Sequence, residues 1–374
     1  MSSQESNLRL ILMPNIIKFG TLVDEKLQLI RGENNSNIVE IKLDRFSNAE
    51  GKAKIIDSIR GKDVFLLSDV GNYGPESSYQ SRGENYMRSP DDHFQDIKRV
   101  ISAMNGKENS LHIVMPLLYQ SRQDKRRECE SLDCAEALRE LESRGTDGII
   151  TFDVHNPTIE NALQNCSFDN LFPTYSVLSN FVEREEYDKD NLMIVAPDTG
   201  AMDRAIYYAN ALNVDVGVFY KRRDFSKVVN GKNPIVEHKF LGNDVEGKDL
   251  IIVDDMIASG SSILEVATDM KKRGANKIYL VATFPLFTEG EKSVKSFDDA
   301  NEKGIFEKLY TTNVTYVPEY IKEKNWYHEV DCSKYLAKII NAIYERESIR
   351  PFLDGKTKIS KKIKTLGKYP TKKD

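Results

Sequence analysis

An α/β fold of two tandem domains, each a mainly parallel sheet flanked by helices, is predicted by short apolar runs that alternate with helical patterns. Strands buried on both faces read as continuous apolar runs, because helices cover each side of a parallel sheet. Seven or more such runs fit two sheets better than one. The size agrees: with 374 residues, 40% hydrophobic and 30% charged, the chain can bury two proper cores.

The runs fall at residues 64–67, 112–115, 148–152, 193–196, 214–220, 250–253 and 278–283, each with the length of a buried strand. Between them, residues 133–144, 202–212 and 263–273 carry apolar side chains at helical spacing, and Gly145 and Gly274 are placed as helix stops. Residues 71–92 (GNYGPESSYQSRGENYMRSPDD) are polar, rich in Gly and Ser and without period, so a long surface loop is expected there. A last amphipathic helix is expected over 333–345. The boundary between domains is expected near residues 168–175. The resulting division is an N-terminal domain at 1–170, a C-terminal domain at 171–332, a C-terminal helix at 333–350 and a basic, disordered tail at 351–374.

Composition excludes several function classes. Cys129, Cys134, Cys166 and Cys332 are too few and too scattered for a disulfide framework, and no CxxC pair nucleates a zinc site. A reducing, cytoplasmic setting is expected. The first residues contain only the four-residue apolar run 10–13, and nowhere do about 18 apolar residues follow one another, so neither a signal peptide nor a membrane span is expected. Net charge is −5, yet residues 355–374 hold eight lysines against Asp374 alone, which leaves an acidic body. With no arginine and Tyr369 as its one aromatic, that tail reads as solvated chain and not as a nucleic-acid arm.

The strongest motif is residues 250–262, LIIVDDMIASGSS, followed by the helical ILEVATDMKKRG. A buried strand delivers Asp254 and Asp255 to its carboxyl end, where open α/β sheets bind ligands. Ser259, Gly260, Ser261 and Ser262 then make a small-residue turn whose backbone N–H groups and hydroxyls can hold a phosphate at the start of a helix. Carboxylates beside a phosphate cradle suit a sugar phosphate, the acids accepting hydrogen bonds from ribose hydroxyls. By contrast, 242–249 (GNDVEGKD) matches GxxxxGK without the Ser/Thr that binds Mg²⁺, and it precedes a strand where a P-loop follows one. No GxGxxG, HExxH or GxSxG supports a dehydrogenase, zinc protease or serine hydrolase.

The LIIVDDMIASGSS segment resembles the phosphoribosyl diphosphate loop of type I phosphoribosyltransferase folds. Four further blocks, RFSNAE at 45–50, SRQDK at 121–125, FDVH at 152–155, and APDTG at 196–200 leading to YKRR at 220–223, narrow the resemblance to the ribose-phosphate pyrophosphokinase (PRPP synthetase) family. It spans residues 8–352 and omits 71–92 and the basic tail. The resemblance implies two phosphoribosyltransferase-like domains, with ATP contacts and an oligomer interface in the first and the ribose 5-phosphate and catalytic loops in the second. It implies transfer of the β,γ-diphosphoryl group of MgATP to the C1 hydroxyl of ribose 5-phosphate, giving PRPP and AMP for nucleotide, histidine and tryptophan biosynthesis.

By the same resemblance, Lys221 and Arg223 are catalytic and lie on a loop that closes over the phosphates. Phe46, Asn48, Glu50, Arg122, Gln123 and His155 contact ATP. Asp254, Asp255, Ser259, Gly260, Ser261 and Ser262 bind ribose 5-phosphate, and His155 and Asp198 are the Mg²⁺ positions. The Phe-Ser-Asn loop reaches into a neighbouring subunit in the family, so a homodimer built into a hexamer is implied, with no nucleic-acid or membrane partner. His93, His112, His238 and His328 lack such context and read as ordinary residues.

The chain departs from the family pattern at several positions. The ribose loop usually reads VDDMIDTGGT, and here Ala258, Ser259 and Ser261 replace Asp, Thr and Gly; Ala201 stands where a second Gly is usual after Asp198. After RQDK, the usual basic residue and Pro become Glu130 and Leu132, and an acid there repels an anion. Weak phosphate activation and weak ADP inhibition are therefore expected. Two alternatives share part of the pattern: a nucleobase phosphoribosyltransferase, which leaves SRQDK and FSNAE unexplained, and a non-catalytic regulatory paralogue, motivated by the altered loops.

Overall fold

The computed structural model describes residues 6–126, 128–223 and 235–366. The chain divides into two compact units, Met1–Pro173 with Asn313–Pro318 and Asp331–Leu353, and Thr174–Thr312 with Glu319–Val330 and Asp354–Asp374.

The first unit runs β1 (Leu8–Leu12), α1 (Ile17–Arg31), β2 (Ile38–Val39), β3 (Ile41–Arg45), β4 (Gly51–Ile55), β5 (Asp63–Leu67), β6 (Ser78–Ser81), β7 (Glu84–Met87), α2 (Pro90–Met104), β8 (Ser110–Val114), α3 (Asp133–Ser143), β9 (Gly148–Phe152) and β10 (Ser167–Leu171). Among the described residues, six strands form one parallel sheet in the order β10-β9-β8-β5-β1-β2. β9 is buried at every position, as an unbroken apolar run under helices on both faces should be. Two antiparallel hairpins, β3–β4 and β6–β7, stand apart from that sheet. In β3 and β4, half-buried and exposed residues alternate strictly, the period of a strand with one face covered.

The second unit runs α4 (Thr174–Arg184), β11 (Leu192–Ala196), α5 (Met202–Leu212), β12 (Asp215–Arg223), β13 (Ile235–Leu241), β14 (Asp249–Ile257), α6 (Ser261–Lys272), β15 (Ile278–Pro285), α7 (Glu291–Glu302), β16 (Lys308–Thr312), α8 (Glu319–Lys322) and β17 (Tyr327–Val330). Its sheet has the order β13-β12-β11-β14-β15-β16-β17, parallel except for β13 against β12. Strand order reverses between β11 and β14: the chain first moves outward through β12 to β13, then returns to β14 and leaves the other way. The three last helices are α9 (Ser333–Tyr344), α10 (Arg350–Leu353) and α11 (Gly355–Thr365).

Three expectations are corrected. Residues 71–92 are not one irregular loop: they contain the β6–β7 hairpin, and Ser89-Pro90-Asp91-Asp92 starts α2. There Ser89 accepts the Asp92 N–H while the Asp92 side chain accepts the Ser89 N–H, a reciprocal cap with Pro at the first helical position. The region 171–332 is not one continuous unit, because the chain returns to the first unit at 313–318 and 331–353. At 313–318 the return is fastened by Asp69, which accepts from the Thr315 hydroxyl and the Tyr316 N–H; further on, α9 packs on α1 and Arg31 donates to Asn341 and Glu345. The lysine-rich tail is helical in α11, where Ile359 and Ile363, four residues apart, are fully buried.

Candidate active site

In the second unit, β14 pairs with β11 only as far as Ile252 against Val195, yet continues beside β15 to Ile257. Asp254 and Asp255 therefore lie on the strand and not after it, in the stretch that outruns β11. Strand alternation separates them, and Asp255 is buried while Asp254 is half-buried. Asp198 follows the neighbouring strand β11. One oxygen of its carboxylate accepts from the N–H groups of Gly200 and Ala201 at 2.8 and 3.2 Å, which caps the turn leading into α5. Both acidic segments thus stand at the point where strand order reverses, the place where open α/β sheets bind ligands.

These acids sense one another. Burial, then the charge of Asp255, pushes the Asp254 carboxyl well above the usual carboxylate range; Asp198 adds to the rise and Arg204, in the first turn of α5, opposes it. A carboxylate so placed is relieved by ligand hydroxyls or by a hydrated cation. Among the described residues, no three His, Cys, Asp or Glu side chains are gathered as a metal cage. The acid-rich edge still fits Mg²⁺, which keeps several waters and takes one or two carboxylates plus phosphate oxygens.

From Ile257 the chain turns into α6. Gly260 sits at the helix N-cap with φ +79° and supplies no capping side chain. A Cβ at Gly260 would lie 2.2 Å from the Phe297 ring, so close packing and left-handed backbone both demand glycine. Ser259 Oγ lies 3.0 Å from Ser261 Oγ and 3.4 Å from the Ser261 nitrogen. Backbone donors and hydroxyls at the positive end of a helix make an anion cradle, and Ser262 opens the same helical turn.

Lys221 and Arg223 do not lie on a loop: their backbone ends β12, with Lys221 opposite His238 and Arg223 opposite Ile235 after a bulge. β12 is the other neighbour of β11, so these positions extend past the strand that leads to Asp198. The following residues, 224–234, lie outside the described residues.

In the first unit, the segments carrying Arg122, Gln123 and His155 follow the adjacent parallel strands β8 and β9. Asn156 Nδ2 donates to Asp124 Oδ2, tying the two segments together. Arg122 and His155 are exposed. Gln123 is half-buried, and its side-chain amide donates to the Ser131 carbonyl at 2.8 Å, so it shapes the loop ahead of α3. Glu130 is exposed in that loop.

Phe46, Asn48 and Glu50 occupy the β3–β4 turn. Phe46 N–H donates to Glu50 O at 2.9 Å, Ala49 N–H to Phe46 O at 2.8 Å, and Glu50 N–H to Asn48 Oδ1 at 3.2 Å. This closed turn presents Phe46 at 56% exposure. The unassigned histidines have structural surroundings: His93 faces the Asn72 carbonyl at 2.9 Å, His112 stacks on Phe65, and His328 faces Asn180 at 3.1 Å. His238 lies on β13 by its backbone. Arg204 escaped the sequence reading; its signal was a cation in the first turn of the helix that follows Asp198.

Two family models match the chain: the N-terminal domain of ribose phosphate pyrophosphokinase over residues 16–145 and the phosphoribosyl transferase domain over 178–324. The ribose-phosphate pyrophosphokinase of Vibrio parahaemolyticus is 27% identical over 342 residues, covering 90% of this chain and 98% of that protein. That of Shewanella oneidensis is 29% identical over 308 residues, covering 82% and 88%. The crystal structure of phosphoribosylpyrophosphate synthetase from Mycobacterium smegmatis aligns with a TM-score of 0.73 at 19% identity, over 91% of this chain and 100% of that one, a likeness of fold. No described helix is long and apolar enough to cross a membrane.

Proposed function

Because the chain belongs to the ribose-phosphate pyrophosphokinase family, we propose that it transfers the β,γ-diphosphoryl group of ATP to the C1 hydroxyl of ribose 5-phosphate. The C1 oxygen forms a bond to the β-phosphorus, the bond from that phosphorus to the α-phosphate bridging oxygen breaks, and AMP leaves while the hydroxyl proton is lost. The observation that carries this reading is the acid pair on β14, running directly into the Ser/Gly turn of α6 where strand order reverses. A sugar phosphate needs both halves: acceptors for its hydroxyls and donors for its phosphate.

Asp254 and Asp255 accept from the ribose hydroxyls, and a half-buried carboxyl whose neighbours disfavour its charge gains from each donor. Ser259, Gly260, Ser261 and Ser262 hold the 5-phosphate. Lys221 and Arg223 offset the charge that grows on the transferred group and on AMP, the main requirement of phosphoryl-type transfer. Phe46 stacks on the base, Asn48 and Glu50 address its edge, and Arg122 meets the phosphates; Gln123 supports the Arg122 loop through Ser131. His155 in the first unit and Asp198 in the second would each offer a contact to hydrated Mg²⁺, which when bound would neutralise phosphate charge. The exposed Phe46 supports a base site completed between copies of the chain, hence a dimer or a larger ring.

The test is direct: purified protein with Mg²⁺, ATP and ribose 5-phosphate yields PRPP and AMP in equal amounts by chromatography. ATP binding with neither product would shift the reading to a regulatory paralogue. PRPP consumption with a free nucleobase would shift it to a phosphoribosyltransferase.

A further inference from the structure

The β6–β7 hairpin carries none of the motif blocks, yet it is fastened to the turn that carries Phe46. Ser81, the last residue of β6, donates its hydroxyl to the Ser47 carbonyl at 3.0 Å. Tyr79, two residues earlier, has the Arg45 guanidinium 5.1 Å from its ring centre and the Arg88 guanidinium 5.3 Å from it. Arg88 closes the hairpin base by donating to the carbonyls of Ser77 and Ser78, both at 3.0 Å.

Both ends of the Phe46 turn rest on one ionic hub. Arg45, immediately before Phe46, reaches Asp96 on α2 at 2.7 Å; Arg88 meets the same carboxylate at 3.2 Å and Arg99 at 2.6 Å. Gly51, immediately after Glu50, lies against this hub: a Cβ there would come 1.8 Å from Arg45 Nη1 and 2.6 Å from Arg99 Cζ. Three guanidinium groups share one buried carboxylate, so the surplus positive charge needs further partners, and the face of the Tyr79 ring receives two of them. The hairpin therefore supplies the second half of a clamp whose first half is Asp96.

Resting on the reading of Phe46, Asn48 and Glu50 as the base contacts, we propose that the β6–β7 hairpin holds the Phe46–Glu50 turn in its base-binding shape, with Tyr79 and Ser81 as positioning residues for nucleotide selection. An exposed turn left unpinned loses binding free energy to its own ordering; a pinned one does not. The hairpin acts on the nucleotide and not on the sugar phosphate, whose cradle belongs to the other unit.

The test compares Ser81→Ala, Tyr79→Ala and Tyr79→Phe with wild type for KM of ATP, KM of ribose 5-phosphate and preference for ATP over GTP. Loss of the Ser81 hydroxyl raises the ATP KM about fivefold, and loss of the Tyr79 ring raises it about tenfold. Tyr79→Phe restores the wild-type value, since the ring face and not the hydroxyl meets the guanidinium groups. The ribose 5-phosphate KM stays fixed and ATP preference falls. Unchanged ATP KM and base preference in both alanine variants, or an equal rise in both KM values, overturns the proposal. If wild type makes no PRPP, the functional reading fails by itself, and ATP titration of the same proteins still decides: equal affinity in wild type and Ser81→Ala overturns the clamp.

Discussion

Gly260 makes the proposed phosphate cradle a test of single atoms. Its φ of +79° and the 2.2 Å approach of a Cβ to Phe297 mean that one methyl group strains the backbone and displaces a buried ring at once. Gly260→Ala is expected to cost about 1–3 kcal/mol and to raise the ribose 5-phosphate KM more than that of ATP; an unchanged urea midpoint and KM would remove the glycine from the cradle. Lys221 is tested by rate. Lys221→Ala should lower kcat by about 10²–10⁴ with little change in ATP affinity, as expected of a group acting on charge that develops in the transition state. Equal turnover in single-turnover kinetics would take it out of the mechanism. The segment proposed for the ribose phosphate stood out in the sequence because its chemistry is contiguous: acids, turn and helix start occupy thirteen consecutive positions, 250–262. Tyr79, Asp96 and Arg204 were not, since nothing about a lone Tyr, Asp or Arg says which distant group it will face.

At the scale of the element, strands were readable wherever both faces are buried, because the apolar run is then continuous; β9 matches its expected 148–152 span. Amphipathic pieces were harder. β3 and β4 show one half-buried face built of short segments, and α2 begins inside a stretch whose polarity and missing period masked its cap. The tail shows the cost of reading charge alone. In α11, Ile359 and Ile363 enter the core formed by Val177, Phe181, Ala205 and Tyr208, while Asp354 caps the helix by accepting the Thr357 N–H. Lys362 pairs with Glu183, and Lys358 lies over the Tyr175 ring at 5.8 Å, so even two of the lysines are used in docking. Ile359→Ala should destabilise the second unit by about 2–4 kcal/mol, the range for emptying a buried Ile site, whereas the exposed Lys361→Ala should leave the urea midpoint where it was. Equal midpoints for all three proteins would return this segment to disorder.

For the molecule as a whole, the chain leaves the first unit and comes back to complete it, and Asp69 is where the return is fastened. Both oxygens of this carboxylate take the Thr315 hydroxyl, at 2.9 and 2.8 Å, and one also takes the Tyr316 N–H at 2.8 Å, across 246 and 247 residues of sequence. Asp69 is almost wholly buried. Burial pushes its carboxyl up to about 7, while the donors of Tyr316, Thr315 and Gly71 pull the other way. The folded protein therefore holds a proton here that the unfolded chain releases near pH 4, and stability must fall as pH rises between those values. A shift of this size corresponds to something on the order of 4 kcal/mol, fully present below about pH 4 and gone above about pH 7. Carboxylates whose folded state favours ionisation, Glu140 and Asp298 among them, lose stability in the opposite direction as pH drops, so wild type alone mixes the two. Asp69→Asn separates them, because an amide keeps an acceptor without titrating. The stability of wild type relative to Asp69→Asn, from urea unfolding at pH 4.5 to 7.5, should decline steadily with pH, and the protection factor of the Tyr316 amide, corrected for intrinsic exchange, should fall at the upper end in wild type alone. A difference that stays constant over that range would show that Asp69 is ionised throughout and that its three donors outweigh its burial.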